Sequence, residues 1–278
     1  MKALYKFVDS KEAVLAIARG SLKFTKIEDL NDPSELAPIM NRDAVRDSLI
    51  SIRRTGYNDT QFEWLKCQEA ALRLLSPEIR IIPLPPSVEL ANQRLADPIY
   101  DNLDFMEQRL FKTINLIRSH VGVLSLTERF DSLPMWAHYG ARAKGYVLRF
   151  NDLDRKFPGD ATGSLNAVKP VQYVEDLLGV TYDPPTQDNL FFQKLRDWSY
   201  EREWRVVSAL SSCQVSQDGK MHLRSISLSN VTGIICGWNI PENDVSLLAS
   251  EVHQINPCVE VLTASFYQGH IGLNKRAK

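Results

Sequence analysis

The stretch "DWSYEREWRVV", residues 197–207, decides how the chain is read. Taken as a β-strand, it places Glu201, Glu203 and Arg205 on one face and Tyr200, Arg202, Trp204 and Val206 on the other. Two carboxylates two residues apart on one strand face repel each other. Such a pair belongs either to a solvated edge strand, balanced by Arg196, Arg202 or Arg205, or to the wall of a reactive cleft.

Working outward, the preceding "DNLFFQKLRD" (188–197) reads as a helix that runs into this strand. Alternating apolar residues predict further strands at 3–8, 21–26, 121–128, 146–150, 166–174, 221–228, 231–237 and 259–266. Pro170 marks an edge or bulge in the fifth of these. Helical spacing appears at 10–20, from the N-cap Ser10 to the stop at Gly20, and again at 41–76, 101–120, 133–145 and 241–255. The "LNDPSE" segment (30–35) reads as a turn in which Asn31 and Asp32 bond their own backbone. "SPEIRIIPLPPS" (76–87) is broken by proline, and "GDATGS" (159–164) reads as a flexible loop. The expected fold is α+β with a mixed, mostly antiparallel sheet. The expected organisation is a single domain, 1–278, carrying a helical insertion at 36–118.

The 278 residues are 44% hydrophobic and 24% charged, with a net charge of −1. That balance disfavours a globally basic nucleic-acid binder. The four cysteines form no C-x-x-C pair, and His120, His222, His253 and His270 are scattered, so no metal site is expected. No signal peptide and no apolar run of membrane-spanning length is seen, which together with unpaired cysteines predicts a cytoplasmic protein with free thiols. Neither a G-x-S-x-G elbow nor a phosphate-binding G-x-x-x-x-G-K-[ST] loop occurs.

Six segments, "LYKF" (4–7), "FTKIEDLNDP" (24–33), "LSLTE" (124–128), "MWAHYGARAKGYVLRF" (135–150), "WSYEREWRVV" (198–207) and "IICG" (234–237), resemble a bacterial family called domain of unknown function 2971. The order of elements also resembles the ADP-ribosyltransferase fold. That fold carries an aromatic residue followed by Arg or His, a Ser-x-Ser/Thr strand, and a Glu-x-Glu strand. The matching positions here are Tyr5 with Lys6, Ser125 with Thr127, and Glu201 with Glu203. Lys6 departs from the pattern, because Lys is a point charge and lacks the planar two-pronged contact of Arg.

The resemblance implies an enzyme that uses NAD to modify a nucleic acid or protein, in a bacterial toxin–antitoxin or phage-defence setting with an antitoxin or immunity partner. Cleavage of the nicotinamide–ribose bond develops positive charge on the sugar. A carboxylate near the ribose stabilises that charge, the role expected of Glu203. Glu201 would orient or deprotonate the acceptor. Lys6 with a nearby Arg such as Arg205 would neutralise the pyrophosphate, and Ser125 and Thr127 would brace the sheet floor or the ribose. Trp136 and Tyr139, three apart on a short helix, share a face that fits a core, with His138 beside them towards a cleft. Together the three rings could stack a base or nicotinamide.

Two other readings stay open. A nucleotide or nucleic-acid binding module of the same fold would use Lys6, Trp136, His138, Tyr139 and Arg205 without chemistry. A metal-dependent nuclease would gather an ion on Asp32, Glu201 and Glu203.

Overall fold

A computed structural model describes residues 2–32, 34–35, 40–75, 84–159, 165–177 and 191–275. Most of the "SPEIRIIPLPPS" and "GDATGS" segments, Pro33, and the start of the helix expected from 188 lie outside the described residues.

The chain begins with β1 (Leu4–Val8), α1 (Lys11–Ala18) and β2 (Ser21–Lys26). Ser10 caps α1 by accepting from the Ala13 N–H, and Gly20 turns the chain back at φ +83°. Four helices follow: α2 (Arg42–Thr55), α3 (Asp59–Leu75), α4 (Val88–Arg94) and α5 (Leu103–His120). All four fall between β2 and β3 (Val121–Thr127). Then come α6 (Leu133–His138), β4 (Tyr146–Phe150), α7 (Leu153–Lys156), β5 (Val168–Pro170), β6 (Gln172–Val174) and β7 (Gln193–Leu195). The chain continues through β8 (Glu203–Ala209), β9 (Gln214–Val215), β10 (His222–Ser225), β11 (Val231–Cys236), α8 (Glu242–Ile255), β12 (Glu260–Tyr267) and β13 (His270–Lys275).

The fold is α+β, and its main sheet runs β13-β12-β11-β4-β1-β3-β2-β10-β9. Among the described residues only the β11–β12 pair in it is parallel; a separate β6–β7 pair is parallel too. β3 is the branch point. One of its edges pairs with β8 along its whole length, from Val121↔Ala209 to Thr127↔Glu203. The other edge is shared: β2 takes Gly122 and Val123, and β1 takes Thr127. The sheet therefore forks at Leu124–Leu126, and the edge of β1 beyond Tyr5 stands open.

Alternation along β3 and β8 sorts the side chains. Leu124, Leu126 and Val206 join a core under α1 and α8, with Val14, Ile17, Leu248 and Val252. Val121, Val123 and Val207 join a second core under Ile114 and Ile117 of α5. A third core holds Phe7, Met135, Trp136, Val147 and Ile235. Gly145 lets β4 start beside β1, because a Cβ there would lie 2.5 Å from the Val8 carbonyl oxygen.

Three expectations are corrected. Residues 193–195 form a strand and 196–201 a 3₁₀ turn, so the described part of the expected 188–197 helix holds no α-helix. The strand expected to carry both glutamates starts only at Glu203, because Arg202 adopts a left-handed conformation (φ 42°, ψ 52°) that ends the turn and leaves Glu201 outside the strand. β8 is also no solvated edge: it lies between β3 and β5, and Glu201 and Glu203 are 4% and 5% exposed. β13 was not anticipated. It closes a hairpin with β12 across Gln268 and Gly269, both at positive φ.

Candidate active site at the sheet fork

A cavity of about 190 Å³ opens where β1 and β2 diverge from β3. Tyr5, Lys6 and Phe7 line it from β1, Thr25 from β2, and Ser125, Leu126 and Thr127 from β3. Leu30, Asn31 and Glu35 contribute from the turn after β2, Met135 and Tyr139 from α6 and its end, and Lys194, Glu201 and Glu203 from the opposite wall.

Sheet register builds the floor. Thr127 faces Glu203 across the β3–β8 ladder and Ser125 faces Arg205, so all four side chains project from one sheet face. Glu201 arrives by another route. The 3₁₀ turn and left-handed Arg202 swing it back over Glu203, where Thr127 Oγ1 donates to the Glu201 carbonyl at 2.6 Å.

Charge fills the buried wall. Arg205, 1% exposed, donates through Nε and Nη2 to the two oxygens of Glu203, at 2.8 Å each. Its other contacts go to Glu35, at 2.8 Å from Nη1 and again from Nη2, and to the Phe191 carbonyl at 2.9 Å. Lys194 Nζ donates to Glu201 at 2.7 Å and to Glu203 at 3.4 Å, and sits 3.6 Å from Glu35. Tyr139 donates its hydroxyl to Glu201 Oε1 at 2.6 Å and accepts from Asn31 at 2.7 Å. Among the described residues, no group of three or more His, Cys, Asp or Glu is arranged to hold a metal ion. Here the three carboxylates are turned towards Arg205 and Lys194.

The two glutamates differ in character. Burial pushes the Glu203 carboxyl up, but the charge and hydrogen bonds of Arg205, helped by Lys194, overrule it and hold it at about 2. Burial raises Glu201 above the usual carboxylate range; Lys194 opposes the rise and Glu203 adds to it. Glu35 is likewise raised by burial, which Arg205 offsets only in part. One carboxylate is thus ionised at neutral pH while its neighbour is a stronger base, the division of labour that acid–base sites use.

The two pocket lysines also differ. Burial lowers Lys194, yet Glu203, Glu201 and Glu35 outweigh it and raise the amine. Lys6 is half-buried, and its Nζ donates to the Ser125 carbonyl at 3.2 Å across the fork. Burial brings it down to about 8, with Glu203 opposing and Lys23 assisting.

Of the residues singled out in the sequence, Tyr5, Lys6, Ser125, Thr127, Tyr139, Glu201 and Glu203 line this one cavity. Arg205 lies behind it, spent on Glu203 and Glu35. Trp136 lies in the core, 1% exposed, against Phe7 and Trp238, with its Nε1 donating to the Phe130 carbonyl. His138 is exposed outside the cavity, where its ring lies 6.3 Å from that of Tyr139 and 6.2 Å from Tyr200; Tyr200 in turn lies 6.2 Å from Trp198. Glu35 and Lys194 were not anticipated. Lys194 carried a weak signal, a cation next to Leu195 in a strand-length run that begins with Phe191 and Phe192.

Comparison with curated proteins and with solved structures finds no match. Residues 135–206, from α6 through β8, match the family described as "Protein of unknown function (DUF2971)", which supports the resemblance carried by the Trp-x-His-Tyr and Glu-x-Glu segments.

Proposed function

We propose that the fork cavity binds NAD by its nicotinamide–ribose end and that the protein transfers ADP-ribose to a macromolecular acceptor. The observation that carries this reading is the convergence of Lys6, Ser125, Thr127, Glu201 and Glu203, from three separate parts of the chain, on one cavity. At about 190 Å³ the cavity is smaller than the ~300–1,000 Å³ typical of sites for whole drug-sized ligands. It suits a sugar and the bond to its base, with the remainder of the dinucleotide outside, where the His138, Tyr200 and Trp198 rings form an aromatic rim.

In this reading the ionised Glu203 faces the sugar as the bond to nicotinamide breaks and the bonding pair leaves with the base. Glu201, the stronger base, accepts the proton of the attacking acceptor group. Tyr139 and Lys194 hold Glu201 in place. Lys6 has no carboxylate within ion-pair distance among the described residues and remains available to an anionic group of the ligand. Among the described residues none of the four cysteines is in a disulfide, which suits a cytoplasmic setting. An antitoxin or immunity partner and a defence role belong to the same proposal.

A second reading is favoured by one observation: both Glu203 oxygens are already engaged by Arg205, and Glu201 is held by Tyr139 and Lys194. A wall so internally satisfied suits a nucleotide-binding module without turnover. Glu201→Gln separates the two readings. Loss of nicotinamide release with NAD binding retained supports the enzyme; NAD binding with no release from the wild type, with any acceptor, supports the module.

A further inference from the structure

We propose that Lys6 is a nucleophilic amine that captures small uncharged hydroxylated aldehydes in the fork cavity as an imine. This goes beyond the NAD reading and does not depend on it.

The geometry separates Lys6 from the other cations of the site. Arg205 and Lys194 are locked between Glu35, Glu201 and Glu203, whereas Lys6, which lines the cavity, has among the described residues one hydrogen-bond acceptor, the Ser125 carbonyl at 3.2 Å, and no ion pair. Its neighbours on the strand, Tyr5 and Phe7, line the same space, and Leu126 and Met135 add apolar surface. Burial of the cation outweighs the opposing charge of Glu203 and lowers the amine to about 8, with Lys23 assisting. The reference value of an exposed lysine is about 10.4, so at pH 7.5 Lys6 holds roughly two-hundredfold more free base. Glu203 and Lys23 bear on that titration, and Glu201, Glu35, Lys194 and Tyr139 line the cavity it faces.

The same surroundings select the electrophile. Three carboxylates face two locked cations, so the free-base form of Lys6, the form that attacks a carbonyl, leaves the wall with an excess of negative charge that disfavours anionic carbonyl compounds, whereas the protonated form is the one available to an anionic ligand. Tyr139, Asn31 and Ser125 offer hydroxyl and amide groups for a hydroxylated chain. In the reaction the Lys6 nitrogen bonds to the carbonyl carbon. The carbonyl oxygen leaves as water, taking up both amine protons, and no oxidant or reductant is consumed. Glu201, a carboxyl raised by burial in the same cavity, can relay the proton that converts the hydroxyl to water.

The test uses the wild-type chain with D-glyceraldehyde and cyanoborohydride at pH 7.5, stopped at low conversion, with modified lysines located by peptide mass spectrometry. Lys6 should be labelled at least tenfold faster than exposed Lys23 of β2. Glyoxylate, an anionic aldehyde, should label it more slowly than glyceraldehyde. In urea sufficient to unfold the chain, the advantage of Lys6 should vanish. Equal labelling of Lys6 and Lys23, faster labelling by glyoxylate, or a preference that survives unfolding would each overturn the proposal.

Discussion

Arg205 grips Glu203 through two donors, Nε and Nη2, each 2.8 Å from a carboxylate oxygen, with both side chains buried on one face of the same strand. Residues two apart on a strand share a face, so the pair is local in sequence, yet it is completed by Glu35, 170 residues away. Removing the cation leaves two carboxylates buried without their main partner. Arg205→Ala should therefore cost about 3–5 kcal/mol of unfolding free energy, read by urea titration. A loss below about 1 kcal/mol would mean that the wall is far wetter than its burial indicates.

The same pair sets a pH dependence. Glu203 is held at about 2 in the folded chain against 4.5 unfolded, so its contribution is fully present above about 4.5 and fades as the pH falls towards 2. The loss should be on the order of 3 kcal/mol across that window. Glu201 acts with the opposite sign. Its carboxyl is raised on folding, so it contributes stability at low pH that is lost as the pH rises through the folded value. Glu201→Gln should accordingly leave stability flatter above pH 5, measured as chemical-denaturation midpoints between pH 4 and 8.

Lys6 should trade stability for reactivity. Its amine is lowered to about 8 on folding, so the unfolded chain binds the extra proton more readily, and folding is disfavoured below about 8 and relieved as the pH rises towards 10.5. Lys6→Met should raise stability at pH 7 by about 1–2 kcal/mol, and the gain should shrink by pH 10. A destabilised Lys6→Met at pH 7 would show that the Ser125 carbonyl compensates the buried charge.

Trp136 offers a check on how the aromatic cluster divides. Its indole is packed in the core against Phe7 and Trp238, while Tyr139 reaches the cavity. Trp136→Phe should lower stability by about 1–3 kcal/mol through lost packing and the lost bond to the Phe130 carbonyl. It should leave nucleotide affinity within about twofold, whereas Tyr139→Phe, which strips Glu201 and Asn31 of a shared hydroxyl, should change it more.

How far the fold and site were legible follows from what is local. Apolar alternation located β1, β2, β3 and β4, and the period of two placed Glu203 and Arg205 on a common face. Alternation also misled, because "YEREW" keeps a strand pattern through a left-handed residue at Arg202 that only the three-dimensional turn reveals. The hairpin at Gln268–Gly269 lacks the Asn-Gly or Asp-Gly signal that would have announced β13. Glu35 and Lys194 could not be assigned from sequence, because the role of each is set by contacts across the fork rather than by neighbours. The i,i+3 spacing of Trp136 and Tyr139 suggested a shared face, and both rings do pack in the third core; the helix ends at His138, and Tyr139 also reaches the cavity with its hydroxyl.

The most direct measurement is calorimetric titration of the wild-type protein with NAD, paired with detection of free nicotinamide by chromatography, with and without bacterial RNA, DNA and protein as acceptors. The expected result is saturable binding that Glu201→Gln retains, with nicotinamide release that Glu201→Gln abolishes. No binding of NAD together with no nicotinamide under any of these conditions would contradict the assignment of the fork cavity.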